Sequence, residues 1–128
     1  MIAIQNTALT VEVSLMEKIL YIAVTGESTP RDGQYLHNYL KEQMSNPVPE
    51  GFLIDVSGLN GRLTIKDYMI QAEDVPAFLQ NKKTALVEHS VNTEQGRIQE
   101  TVYRNRGSNF RVFFDKDEAL RWLKNSLI

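Results

Sequence analysis

Apolar and polar residues alternate along residues 9–15 (LTVEVSL), the period of a strand with one face in a core and the other in water. MEK then breaks the pattern as a short turn. ILYIAVT, 19–25, is β-branched and aromatic almost throughout and predicts a better-buried strand, paired with the first as an antiparallel hairpin. The period then lengthens. STPRDG carries a proline suited to the first helical position, with Ser28 or Thr29 as cap, and Tyr35, Leu36, Tyr39, Leu40 and Met44 follow at helical spacing. NPVPEG stops that helix, because proline cannot continue one.

FLIDV, 52–56, is nearly all apolar and predicts a strand covered on both faces. A second helix begins at Thr64, with Ile65, Tyr68, Met69, Ala72 and Phe78 or Leu79 on one face and Pro76 ending or kinking it near Asp74. KTALVEH, 83–89, is the next buried strand. Asn92 and Gln95 have capping-box spacing for a third helix, whose buried face is Ile98 and Val102 and whose C-terminal glycine is Gly107. FRVFF, 110–114, is the last strand. Asp115 and Glu118 open a last helix striped by Ala119, Leu120, Leu123 and Leu127. The order β-β-α-β-α-β-α-β-α predicts one α/β domain over residues 1–128: a hairpin, then alternating units on a mostly parallel sheet. Loops of functional interest belong at the C-terminal ends of the parallel strands, where the segment 57–64 falls.

Composition removes several classes of function. The chain has 128 residues, 23% charged and 42% apolar, with a net charge of −2. That balance argues against nucleic acid, whose binders are usually basic. Cysteine is absent, so there is no disulfide framework, thiol chemistry or cysteine zinc site, which fits a cytoplasmic protein. The start, MIAIQNTALTVEV, lacks the basic stretch and apolar core of a signal peptide, and no apolar run approaches the roughly 20 residues that span a bilayer. The two histidines, His37 and His89, have no partner at metal-ligand spacing. No carboxylate pair, nucleophile–base pair or cofactor motif emerges, so no catalytic residue, metal or cofactor is assigned.

The residues of LIDVSGLNGRLTIKDYM, 53–69, are the candidate site. Asp55 ends a buried strand and is expected to order the loop by hydrogen bonds. Ser57, Gly58, Asn60 and Gly61 form a small polar loop. The glycines could cradle a phosphate, but no lysine follows at P-loop spacing, and the plainer reading is that both supply the backbone angles of a strand-to-helix turn. Thr64 reads as an N-cap, and Lys66 projects from the first turn of the helix. Arg97 and Arg104, seven apart on one helix face, are candidates for an anionic ligand or acidic partner. Glu94 and Glu100 beside them give the alternative of a solvated face.

The C-terminal string GSNFRVFFDKDEALRWL, 107–123, resembles the ending of the SpoIIAA-like branch of the STAS family (sulphate transporter and anti-sigma-factor antagonist). Gly107, Val112, Phe113, Asp115, Ala119, Trp122 and Leu123 carry the match. ALVEHS and EQGRIQETVYRNRG sit where the branch has a strand and its following helix. The resemblance covers nearly the whole chain, mostly at core and cap positions. It implies a non-catalytic module that binds a protein partner, such as an anti-sigma-like kinase or another regulator, through the loop at 57–64 and the following helix. Phospho-regulated members carry Asp-Ser-Ser-Gly at the start of that helix. Here the motif is missing: Ser57 comes too early, while Thr64 falls at about the right place with Leu63 before it and no glycine after it. Thr64 and Ser57 are therefore the candidate phosphoacceptors of a departed motif. Some members hold lipids or other apolar ligands, so a carrier using an apolar cleft between the first two helices is the alternative.

Overall fold

The structure is a computed structural model, and it describes residues 2–6, 9–27, 38, 42, 49–62, 64–67, 69 and 82–125. Seven strands form one mixed sheet: β1 (Ile2–Asn6), β2 (Leu9–Met16), β3 (Ile19–Glu27), β4 (Gly51–Asp55), β5 (Leu59–Asn60), β6 (Lys83–Val87) and β7 (Phe110–Phe113). Their spatial order is β1-β2-β3-β4-β6-β7, with the two-residue β5 pairing β3 beyond the end of β4. The first three strands are an antiparallel meander, whereas β3, β4, β6 and β7 run parallel. The sheet is thus the expected one with two additions, the edge strand β1 and the two-residue β5. β1 falls in the opening segment, which the sequence pattern did not read as a strand.

The β2–β3 turn is tight because Glu17 and Lys18 both take positive φ, 51° and 69°. That is the backbone of a two-residue hairpin whose twist matches its strands. Covering β4 on both faces explains its apolar run. Phe52 and Ile54 join Val11, Ile22, Leu86 and Val112 in one core, while Leu53 joins Ile19, Ala85, Ala119 and Leu123 in another on the opposite face. Each such buried Leu, Ile or Phe stabilises the fold by about 1.5–3 kcal/mol through the area removed from water.

Two described helices cover these faces. α1 (Thr93–Asn105) lies on the first core, where Tyr103 stacks on Phe110 at 4.8 Å between ring centroids. Its close approach depends on the buried Gly96, where a Cβ would lie 3.0 Å from Val112 Cγ2. Gly107 ends the helix with φ 87°; its N–H donates to Arg104 O and that of Ser108 to Tyr103 O, a Schellman motif. The expected Asn92 cap does not form. Asn92 makes no side-chain cap bond, and the chain instead enters α1 through a 3₁₀ turn, Ser90–Asn92, where His89 Nδ1 accepts the Val91 N–H. α2 (Lys116–Asn125) covers the second core with Ala119 and Leu123, and Asp115 Oδ1 accepts the Asp117 N–H at its start.

Asn38 and Glu42, in the expected first helix, are helical and exposed. Tyr35, Leu36, His37, Tyr39, Leu40 and Met44 lie outside the described residues, as do Tyr68, Ala72, Pro76, Phe78 and Leu79 of the expected second helix and Leu127 of the last. Ile65, Lys66, Asp67 and Met69 are helical. Of the apolar residues that share a face of the expected second helix, Ile65 and Met69 are 54% and 44% exposed, so that face is not covered at these positions.

Candidate functional site

The parallel strands all finish at one end of the sheet, and the segment after β4 turns there between β3 and β6. Asp55, the last residue of β4, organises the turn: its Oδ1 accepts the Ser57 N–H at 2.9 Å and the Ser57 hydroxyl at 2.6 Å. Leu59 and Asn60 then add to β3 as β5. Gly61 takes φ 80°, a conformation that favours glycine, with open space around its Cα. Gly58 differs from expectation. It is not among the residues at positive φ, and it lies against β3, where a Cβ would sit 3.3 Å from Thr25 Cγ2.

The centre of the site is an ion pair that the sequence pattern did not reveal. Arg62 and Glu88 have side chains only 9% and 1% exposed. Arg62 Nε donates to Glu88 Oε2 at 2.8 Å and its Nη2 to Glu88 Oε1 at 2.5 Å. The other guanidinium N–H groups donate to backbone carbonyls of the loop: Nη1 to Leu59 O and Gly61 O, and Nη2 to Val56 O. All five donors of a guanidinium are thus used. Glu88 Oε1 also accepts the His89 N–H at 2.8 Å. A buried charge pair persists when its geometry is good and its remaining hydrogen-bonding capacity is met, and both conditions hold here. Its consequence is geometric: one side chain holds three carbonyls of the loop and ties them to the end of β6. Two signals could have found it. Arg62 is the cation inside the loop, and Glu88 is the charge that follows the apolar run of β6.

Thr64 begins the following helix as a reciprocal cap. Its Oγ1 accepts the Asp67 N–H at 3.2 Å, and its own N–H donates to Asp67 Oδ2 at 3.4 Å. Its hydroxyl also donates to Asp67 Oδ2 at 3.0 Å. Thr64 and Ser57 are both exposed, and each hydroxyl is bonded to a carboxylate two or three residues on or back. A phosphate on either would lose that donor and face the carboxylate at close range. Lys66 is exposed in the first turn of the helix.

Across from the loop stands the turn between β6 and α1. The two segments bound an open groove of about 510 Å³. Ser57, Asn60 and Arg62 line one side, and His89, Asn92 and Gln95 the other, so its walls are mostly polar. Val91 lies at the groove and is 78% exposed. Ile65 and Met69 follow in the next helix, so three large apolar side chains stand in water near or just beyond a polar groove.

Arg97 and Arg104 are both exposed on α1, but the structure joins Arg97 to other residues. Arg97 Cζ stands 5.5 Å from the Phe114 ring centroid and shares a second groove of about 320 Å³ with Arg111, whereas Arg104 does not line it. Among the described residues no group of three or more His, Asp or Glu side chains could hold a metal ion. No described helix is long and apolar enough to cross a membrane.

The topology is that of a SpoIIAA-like fold: a meander feeding a parallel sheet, with the strand-to-helix loop at its C-terminal end. Several solved structures share it, three of them as follows. An anti-sigma factor antagonist from Mycobacterium paratuberculosis superposes with a TM-score of 0.63 at 16% identity, covering 91% of this chain and 94% of that one. RsbS from Moorella thermoacetica, as a substituted variant, gives 0.57 at 16% identity over 91% and 97%. An uncharacterised protein with a SpoIIAA-like fold from Shewanella loihica gives 0.53 at 21% identity over 91% and 93%. At these identities the likeness establishes the fold. No protein-family model matches the sequence, and no curated protein does.

Proposed function

We propose that this chain is a non-catalytic regulatory module of the cytoplasm that binds a protein partner with the loop 57–64, the start of the following helix and the facing turn at 89–92. The carrying observation is the exposure of Ile65, Met69 and Val91, at 54%, 44% and 78%, around a loop whose backbone is fixed by a buried ion pair. Large apolar side chains in water, one at a polar-walled groove and two in the helix that follows its loop, have the composition of an interface: apolar anchors with a polar rim. Preorganisation lowers the ordering cost of association. The SpoIIAA-like fold, found in an anti-sigma factor antagonist and in RsbS, supports a partner of the same class, an anti-sigma-like kinase or another regulator. In this reading the partner recognises the folded loop itself. The Asp-Ser-Ser-Gly motif is missing, and Thr64 and Ser57 are already committed to Asp67 and Asp55.

The apolar-carrier alternative draws no support from the described residues. The groove at the site is mainly polar, and the helices that would frame an apolar cleft lie largely outside those residues.

The test is site-specific photocrosslinking in the cells that make the protein. A photoreactive residue replaces Ile65, Met69 or Val91, and a control replaces the exposed Lys124 on α2. The expected result is one common adduct from the first three positions and none from the control. An adduct from Lys124 alone, or none from all three, overturns the proposal.

A further inference from the structure

The last strand leaves a sheet edge open, and one side chain closes it. Among the described residues β7 pairs with β6 and with no other strand. Thr84 N–H donates to Asn109 O and Glu88 N–H to Phe113 O, so the odd-numbered residues of β7 turn their backbone groups toward β6. Backbone groups alternate along a strand, so those of Phe110, Val112 and Phe114 point outward. An outward row of N–H and C=O groups is a template for another strand. In this chain the central donor of that row is occupied. The Val112 N–H donates to Glu100 Oε2 at 2.6 Å, the carboxylate reaching across from α1. Glu100 stands on the face of α1 that carries the buried Gly96 and Tyr103, and from there it meets a strand amide twelve residues on.

We propose that Glu100 guards this edge and that the occupant it keeps out is β7 of a second copy of the same chain. The strand FRVF is self-complementary about Val112. In antiparallel register, Val112 of one copy lies opposite Val112 of the other, and the pair exchanges both N–H···O bonds. Arg111 then lies opposite Phe113 of the second copy. This is the same cation-over-ring contact that Arg111 makes within its own chain, where its Cζ stands 5.8 Å from the Phe113 centroid. The edge is accessible: Arg111, Val112 and Phe114 line an open groove. The Val112 N–H can serve either Glu100 or the second copy, so the carboxylate and the dimer exclude one another. This inference is independent of the face proposed for partner binding, which lies at the end of the sheet around β4 and β6.

Two variants test it. Glu100→Ala removes the guard and keeps a strong helix former, so the fold is expected to persist, as near-ultraviolet circular dichroism will register. Glu100→Gln retains a carbonyl oxygen that can accept from Val112. Sedimentation velocity over a hundred-fold concentration range, with amide exchange at Val112 followed by NMR, reads both consequences. Glu100→Ala is expected to dimerise with rising concentration, its Val112 amide exchanging at least tenfold faster than wild type when dilute and regaining protection in the dimer. Glu100→Gln is expected to stay with the wild type at the same concentrations. A Glu100→Ala protein that stays monomeric throughout overturns the proposal, as does a dimer whose Val112 amide remains unprotected. Should Glu100→Ala lose its fold, Glu100→Ser is read by the same two criteria.

Discussion

Replacing Arg62 by methionine tests the reasoning about the loop most directly. Methionine keeps much of the volume and removes five donors. Glu88 is then left at 1% exposure with the His89 N–H still donating to it, and the carbonyls of Val56, Leu59 and Gly61 lose the group that gathers them. Breaking a buried pair by removing one partner costs about 3–5 kcal/mol, because the surviving charge stays desolvated. That is a large part of the roughly 5–15 kcal/mol by which a domain is stable. Glu88→Gln should cost less. It leaves a cation that still donates to three carbonyls, and the new amide can accept one bond. Replacing both residues by methionine should cost less than Arg62→Met and Glu88→Met together, by about 1–3 kcal/mol, since neither charge is then stranded. Urea unfolding of the wild type, Arg62→Met, Glu88→Met and the double variant gives the cycle directly. Amide exchange at Ser57–Gly61 should also rise in Arg62→Met ahead of global unfolding, because the loop loses its anchor. Single costs below about 1 kcal/mol that simply add would mean the pair behaves like an exposed salt bridge, and the account of the loop would be wrong.

Other expectations follow from particular contacts. Thr64→Ala should lose about 0.5–2 kcal/mol with the cap; Thr64→Asp should be less stable than Thr64→Asn, because a carboxylate there faces Asp67 Oδ2, which the hydroxyl meets at 3.0 Å, and Asp67→Asn should remove that difference in urea curves. Gly107→Ala should cost about 1–2 kcal/mol, and Gly107→Asn less, since φ 87° is left-handed backbone. Lys83 is held below its ordinary value of 10.5 by burial first and by the Arg111 charge second. Between that lowered value and pH 10.5 the unfolded chain binds more protons than the folded one, so stability should rise with pH through the window relative to Lys83→Met. Parallel pH curves for the two proteins would refute this.

The legible parts of the fold are those where a local pattern and a tertiary demand coincide. The β4 run is apolar because both its faces are covered, and Gly107 stands where the Schellman motif needs left-handed backbone. Thr64 and Asp55 are legible for the same reason, since their partners lie two or three residues away. Reading fails where the deciding neighbour is distant or unusual. Asn92 and Gln95 have capping-box spacing, but Asn92 is taken up in a 3₁₀ turn that His89 caps, and spacing cannot foresee an extra turn. Ile65 and Met69 have core spacing, but periodicity reports which residues share a face, not what covers it.

Arg62 is the instructive omission. Its immediate neighbours are Gly61, Leu63 and Thr64, and the nearby groups its guanidinium is seen to meet are the loop's own carbonyls. The partner that makes it structural is Glu88, twenty-six residues on and in another strand-to-helix connection. A charged residue in a polar loop reads as solvated until that partner is known. Once it is known, the glycines, the short β5 and the serine turn no longer need a ligand to explain them. The guanidinium already fills the role that a phosphate cradle would assign to an anion, gathering backbone groups around one charge, with the sign reversed. Around the loop Asn60 and His89 on the groove walls face water, as do the apolar Ile65, Met69 and Val91. That division, a bonded interior under side chains that face water, is why the loop is better read as a shaped surface than as a binding pocket.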